Sequence, residues 1–303
     1  MVTRFSKHHG LGNDFVVALV PELPAGAADL ARRLCDRRTG IGADGLVFGL
    51  IGDQPAAGSG RQTVGMRLFN CDGGEAEISG NGLRCLVQAV ARMRGETSME
   101  LDVATLAGAR RCVLHGPADQ TGTAHAVTGT ADAATGTADA ANHRAPSTVI
   151  VSVEMGELGP GPTGDIDDPV AAAMPATSAV TRWAAASIGN PHVVCEVDDP
   201  GAVDLQTAGS AVEAHFGGGI NVHFAAVSGP GEITARVWER GVGVTSACGS
   251  GAVVMAACFR DWGLVGDEVT VRMPGGDARV DLRGPITLTG PATHVADIEL
   301  SDA

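Results

Sequence analysis

The sequence predicts a mixed α/β protein made of two related halves, and two observations carry that expectation. The first is a Gly-rich turn that occurs twice. Residues 79–82 read Ser79-Gly80-Asn81-Gly82, and residues 248–251 read Cys248-Gly249-Ser250-Gly251. The match continues upstream in a single register: Met66-Arg67-Leu68 falls against Ala235-Arg236-Val237, Phe69-Asn70 against Trp238-Glu239, and Gly74 against Gly243. In both copies an apolar run enters the turn and a helical pattern leaves it, over Leu83–Arg92 and Ala252–Arg260. The second observation is that Gly12-Asn13-Asp14-Phe15-Val16-Val17 resembles Gly189-Asn190-Pro191-His192-Val193-Val194, with Gly42-Ala43-Asp44 set against Gly219-Ile220-Asn221. This second register is slightly longer. A length change in the Gly-, Pro- and Ala-rich stretch from Gly52 to Gly60 absorbs the difference, because loops accept insertions. Glycine is abundant here, so one match means little; several in the same order indicate duplication.

The first half, residues 1–147, reads as short strands, turns and two helices, over Ala27–Arg38 and Gly82–Arg94. Its end, Pro117 to Ser147, has tandem Thr-Gly-Thr-Ala units and no apolar periodicity, and is expected to be a disordered low-complexity insertion. The second half, residues 148–284, resumes with a strand at Thr148–Val153 and a Gly/Pro-rich loop from Gly156 to Gly164. A Gly-Asn turn, a less regular helix near Ala202–Phe216, a strand, the second copy of the Gly-rich turn and its helix then follow. Glu268–Leu282 and Ile286–Leu300 look like closing strands, with turns at Pro274-Gly275-Gly276 and Gly284-Pro285. Residues 285–303 form the terminal strand, and a site is expected in the cleft between the halves.

Composition narrows the class. A net charge of −14 argues against a nucleic-acid partner, which would need a basic surface. No apolar run reaches the length of a membrane span, and no secretion signal is expected, so the cytoplasm is the default location. The seven cysteines include no CxxC pair and indicate neither a disulfide framework nor a metal site. Cys248 stands apart from the other six because it opens a helix, where backbone N–H groups and the helix dipole favour a thiolate. Lys7 is the single lysine and has no phosphate cup around it, so a pyridoxal phosphate Schiff base is not expected. No Walker loop or dinucleotide fingerprint occurs either, and no cofactor is expected.

Together these motifs resemble the diaminopimelate epimerase family. The resemblance rests on Lys7–Phe15, Gly40–Gly45, Phe69–Glu77, Gly80–Cys85, Gly189–His192, Asn221-Val222, Trp238–Thr245 and Ala247–Gly251, in that order, and covers nearly the whole chain outside 117–147. It implies two pseudo-symmetric domains, each a curved, mostly antiparallel sheet wrapped around a central helix, with the last strand returning to the first domain. It also implies a cofactor-independent isomerase, commonly a homodimer, that converts LL- to meso-diaminopimelate for lysine and peptidoglycan precursors. Inverting an α-carbon requires a proton to leave one face and another to arrive on the opposite face, so two acid/base groups must oppose each other. Backbone N–H groups at Gly80-Asn81 and Gly249-Ser250 would hold the α-carboxylate as charge builds on it. By resemblance, Asn13, Asn70, Asn190, Asn221, Glu239 and Arg240 bind substrate, while His192 and Glu239 stand beside the two proton-transfer groups and set their protonation.

The chain departs from the pattern at Ser79, where the family carries cysteine. A hydroxyl is far less acidic than a thiol and needs a neighbouring base. Three chemistries stay open on the sequence alone. Ser79 can act as the weaker acid opposite Cys248; the site can perform one-sided isomerisation or dehydration of a proline-type or other amino acid; or it can bind diaminopimelate without turnover. Cys85 lies too far along the following helix to replace position 79, Cys71 aligns with Arg240 and not with a catalytic position, and both are expected to be packing residues.

Overall fold

The computed structural model describes residues 4–52, 62–118, 147–164, 168–173 and 180–300. Residues 119–146, the bulk of the low-complexity insertion, lie outside the described residues, as do residues 53–61.

The duplicated sequence becomes a duplicated ladder of strands. In the first half, β1 (Arg4–Gly10), β2 (Asn13–Val20), β3 (Gly45–Leu50), β4 (Thr63–Asn70), β5 (Glu75–Ala76), β6 (Met99–Thr105) and β7 (Gly108–Pro117) carry α1 (Ala27–Cys35) and α2 (Gly80–Arg94) between them. β8 (Thr148–Gly156), expected to open the second half, pairs with β7 and so also belongs to the first. The second half holds β9 (Gly159–Pro160), α3 (Pro169–Ala173), β10 (Val180–Ser187), β11 (Pro191–Val197) and α4 (Leu205–Glu213). It continues through β12 (Asn221–Gly229), β13 (Glu232–Glu239), β14 (Gly243–Thr245), α5 (Gly249–Asp261), β15 (Glu268–Met273), β16 (Gly276–Asp281) and β17 (Ile286–Glu299).

Each pairing in one half recurs in the other with the same sense. β2–β3 and β11–β12 are parallel, β3–β4 and β12–β13 antiparallel, β4–β6 and β13–β15 parallel, and β6–β7 and β15–β16 antiparallel. β4 and β13 even share one pattern of burial: Val64, Met66 and Leu68 face inward and Phe69 outward in the first, Ile233, Ala235 and Val237 inward and Trp238 outward in the second. Strands β1, β2, β3, β4, β6, β7 and β8 close into a ring through β17, which pairs with both β8 and β1. The second set, β10 to β13 with β15, β16 and β17, is completed by β8 and its short continuation β9, which pairs with β10. The α/β expectation of two pseudo-symmetric sheets around central helices is borne out.

Side-chain alternation explains why one helix lies inside each ring and another outside. On β2, Phe15 and Val17 face inward with α2, whereas Val16 and Ala18 face outward against α1. On β11, Val194 faces inward and Val193 and Cys195 face the outer layer with α4. α1 is accordingly amphipathic, burying Ala27, Ala31, Leu34 and Cys35 on one side. α2 is buried on all sides from Gly80 to Ala91, and α5 from Gly249 to Phe259, as fits helices enclosed by a sheet. The cysteine expected to pack inside α2, Cys85, is fully buried and its thiol is pushed up to about 12 by burial.

Local polar chemistry corrects several element boundaries. α1 stops at Cys35 rather than Arg38, because Asp36 Oδ1 accepts the N–H groups of Arg38 and Thr39 and diverts the chain into a turn. The expected helix over Ala202–Phe216 is split. A 3₁₀ turn at Pro200–Ala202 ends before Asp204, whose carboxylate caps α4 through the Thr207 N–H. The loop from Gly156 to Gly164 contains β9.

Leu288 on the shared strand β17 is fully buried and touches the start of both central helices. Leu288→Ala is expected to cost about 2–5 kcal/mol. Because β17 belongs to both rings, calorimetry should record one cooperative transition moved down as a unit, not the loss of one half.

Candidate active site

The site begins with two helices that meet end to end. A Cβ added to Gly80 would lie 2.6 Å from Leu288 Cδ2 and 3.3 Å from the Gly249 Cα. One added to Gly249 would lie 3.1 Å from the Gly80 Cα. Glycine at both positions lets α2 and α5 bring their unpaired N–H groups to one place. Each helix is preceded by the residue that the duplication aligns: Ser79 caps α2, its Oγ accepting the Gly82 N–H at 3.1 Å, and Cys248 stands in the same place before α5.

A cleft opens above this junction, and strand ends from both halves frame it. Asn13 opens β2 and Asn190 precedes β11; Asn70 ends β4 and Glu239 ends β13; Asn221 opens β12. With Ser79, Arg240, Cys248, Gly249 and Ser250, these residues line a single cleft. Three residues expected in the site present no side chain to it. Gly80 forms the helix junction, Asn81 is buried, and so is His192.

Asn81 is turned inward rather than toward a ligand. Its Nδ2 donates to Asn13 Oδ1 at 3.0 Å and to the Ala247 carbonyl at 3.1 Å, and its Oδ1 accepts from Arg84 Nη2. Asn13 Nδ2 in turn donates to Asp44 Oδ2 at 2.8 Å. Asn221 bridges the Pro191 carbonyl (2.8 Å) and the Arg240 backbone N–H (3.0 Å). Three of the expected asparagines therefore hold the frame of the cleft. Arg240 Nη2 meets Glu77 Oε2 at 2.9 Å, an ion pair that crosses from one half to the other.

Two carboxylates of this cleft, Asp44 and Glu77, were not among the expected site residues. Both fall within recognisable motif pieces, but nothing local distinguishes them from solvated turn residues. Asp44 takes Asn13, the Asp14 N–H and Arg37 as partners, and burial raises its carboxyl.

The protonation of Cys248 differs from the sequence expectation. Burial, followed by the Glu239 carboxylate, raises the Cys248 thiol well above its ordinary value. The helix N-terminus does not overcome that cost, so Cys248 rests as a thiol. Glu239 is half-buried in the cleft wall, and loss of solvent around its carboxyl pushes it up to about 7 against the lowering effect of its hydrogen bonds to Thr245 and Cys248. A carboxylate that titrates near neutrality beside a thiol is a suitable acceptor for the thiol's proton. His192 is held well below its usual value by burial, then by His223 and Arg240, and stays neutral. His192 and Glu239 thus both gather on the Cys248 side, rather than one at each cap.

Because Glu239 keeps its proton up to about pH 7 in the folded state but releases it at an ordinary carboxylate value when unfolded, folding binds a proton between those values. Stability then falls as pH rises through that window, by about 3 kcal/mol. Denaturant unfolding at pH 5 and pH 8 should show wild type losing that amount relative to Glu239→Gln. A difference independent of pH would contradict the burial account.

The comparisons agree with this geometry. The diaminopimelate epimerase family pattern matches residues 5–131 and 184–295. The chain is 39% identical over 306 residues to a diaminopimelate epimerase of Desulforudis audaxviator, covering 97% of each chain. It is 38% identical to one of Rhizorhabdus wittichii, covering 99% of this chain and 97% of that one. Among solved structures, a Pseudomonas aeruginosa protein described as a predicted epimerase superposes with a TM-score of 0.69 at 18% identity, covering 99% of this chain and all of the other. A probable proline racemase from Agrobacterium radiobacter superposes with 0.65 at 16% identity, covering 99% of this chain and 93% of the other. At those identities the structures show a common fold alone. With duplicated rings, facing helix caps and close relatives along its length, the chain belongs to the diaminopimelate epimerase family.

Proposed function

We propose that this protein epimerises LL-2,6-diaminopimelate to the meso form without pyridoxal phosphate, supplying lysine and peptidoglycan precursors. The observation that carries this reading is the meeting of two helix N-termini, each capped by a group able to carry a proton, Cys248 and Ser79, within one cleft. The N–H groups at Gly80-Asn81 and Gly249-Ser250 bind the substrate's α-carboxylate and stabilise the charge that moves onto it when the α-proton leaves. Glu239 accepts the Cys248 proton, the thiolate removes the α-proton from one face, and Ser79 Oγ–H returns a proton to the other. The proton held by Glu239 then returns through solvent to the Ser79 alkoxide, so the enzyme is restored and the opposite configuration is left at carbon.

Arg240 supports recognition of a substrate with a second amino-acid end. Its planar fork suits a carboxylate, and Asn221 holds its backbone in place, with Asn70 and Asn190 nearby to bind the ammonium group. A distal carboxylate would take over the position that Glu77 holds against Arg240. Independence from pyridoxal phosphate is supported by the single lysine. Lys7 lies away from the cleft lining, with its ammonium bound by Asp14 at 2.9 Å and by the Gly42 carbonyl. The family resemblance extends the reading to a homodimer in the cytoplasm. No helix among the described residues is long and apolar enough to cross a membrane.

Incubation with LL-diaminopimelate in D₂O, followed by chiral chromatography with mass detection, tests the reaction. Meso product carrying one deuterium at the inverted carbon is expected. Deuterium entering recovered LL substrate without inversion would contradict the role of Ser79, and neither exchange nor inversion would contradict the substrate. Arg240→Met should raise KM by about 100-fold with a smaller change in kcat, because it removes a charge pair to the distal end. An unchanged KM would move distal recognition elsewhere.

A further inference from the structure

Behind the cleft wall lies a second histidine that the reaction scheme leaves unused. His223 on β12 is fully buried and pressed on the first turn of α5, where a Cβ on Gly251 would meet its Cε1 at 2.3 Å. Its Nε2 lies 2.9 Å from His192 Nδ1. The ring centroids are 5.1 Å apart with the planes 27° from parallel, close to the greatest separation that the N–N contact allows, so the rings meet nitrogen to nitrogen. His192, His223 and Cys248 lie within 4.8 Å of one another, as metal ligands can. Two imidazole nitrogens on one tetrahedral zinc would stand about 3.3 Å apart, wider than the 2.9 Å seen here, which is a hydrogen-bond distance. The pair shares a proton.

From His192 the hydrogen bonds continue to the thiol. His192 Nε2 lies 2.9 Å from Asn190 Oδ1, Asn190 Nδ2 is 3.4 Å from Ser250 Oγ, and Ser250 Oγ is 3.7 Å from Cys248 Sγ. Burial keeps both imidazoles neutral, so each carries one N–H. His223 Nδ1 is buried and has no hydrogen-bond partner among the described residues. If His192 donated from Nδ1, His223 would have to leave an N–H unpaired at that place. An orphaned donor is the more costly fault, and an orphaned lone pair is better tolerated.

We propose that His223 is a positioning residue that sets the direction of this chain. Its Nε2–H is donated to His192 Nδ1, which forces the His192 proton onto Nε2, and each later bond then donates toward Cys248. Asn190 Oδ1 accepts from His192, Asn190 Nδ2 donates to Ser250, and the Ser250 hydroxyl donates to the sulfur. Cys248 thereby sits between an acceptor for its proton, Glu239 on β13, and a donor that stabilises the thiolate left behind, Ser250 on α5. The other titratable groups facing it are His192 on β11 and His223 itself, with Arg240 acting on His192 at longer range. His192 is thus a donor in this chain, and the proton of Cys248 goes to Glu239.

The proposal rests on the epimerase reading for the use made of Cys248, but its tests need no turnover, so the two fail separately. The full-length protein, labelled with ¹⁵N-histidine, should show both His192 and His223 protonated at Nε2 by NMR. In His223→Leu, His192 should populate both tautomers, and iodoacetamide should label Cys248 about tenfold more slowly at fixed pH, equivalent to a rise of about one unit in the thiol midpoint. His223→Gln, whose amide can donate to Nδ1, should restore the rate. Nδ1 protonation of His192 in the wild type would overturn the proposal, and so would a labelling midpoint unmoved in His223→Leu. The wild-type tautomers decide the matter even if His223→Leu does not fold.

Discussion

The structure depends on the close approach of Gly80 to Gly249. Two helix ends, each with unpaired N–H groups and a partial positive charge, are brought together where electrostatics alone would separate them. The shared core beneath them, with Leu288 of β17 wedged against both, holds them there. On the proposed reading, an anion relieves that repulsion. A carboxylate placed between the helices meets convergent donors from both, and these strengthen as its negative charge grows.

Duplication makes that junction symmetric, and sequence divergence makes it chemically one-sided. Both rings carry the same strand ladder and the same cap position. On one side the cap is Cys248, surrounded by Glu239, Ser250 and His192. On the other it is Ser79, bound by the N–H of Gly82. The two strands that pass between the rings, β8 and β17, tie these unequal halves into one folding unit.

Features that need a special backbone or a periodic pattern were legible in the sequence. The two turn copies stand out because only glycine fits where the helices meet, and the buried alternation of β4 and β13 can be read from their apolar spacing. Features created by tertiary contact were not. His223 sits within the ordinary strand run Asn221-Val222-His223-Phe224, and it comes near His192 only because β11 and β12 pair in parallel, with Val194 opposite His223. Asp44 and Glu77 look like turn carboxylates until the cleft forms around them. The rest state of Cys248 is hidden for the same reason. A helix start can be read locally, but the burial that outweighs it cannot.

Position 79 offers the most direct measurement. If the two helix caps are the proton-transfer groups, Ser79→Cys replaces a poor acid with a thiol at unchanged geometry, and initial rates from both LL and meso substrate should rise by about tenfold or more. Rates that stay the same or fall in both directions, in a correctly folded variant, would mean that the proton on that face comes from another group.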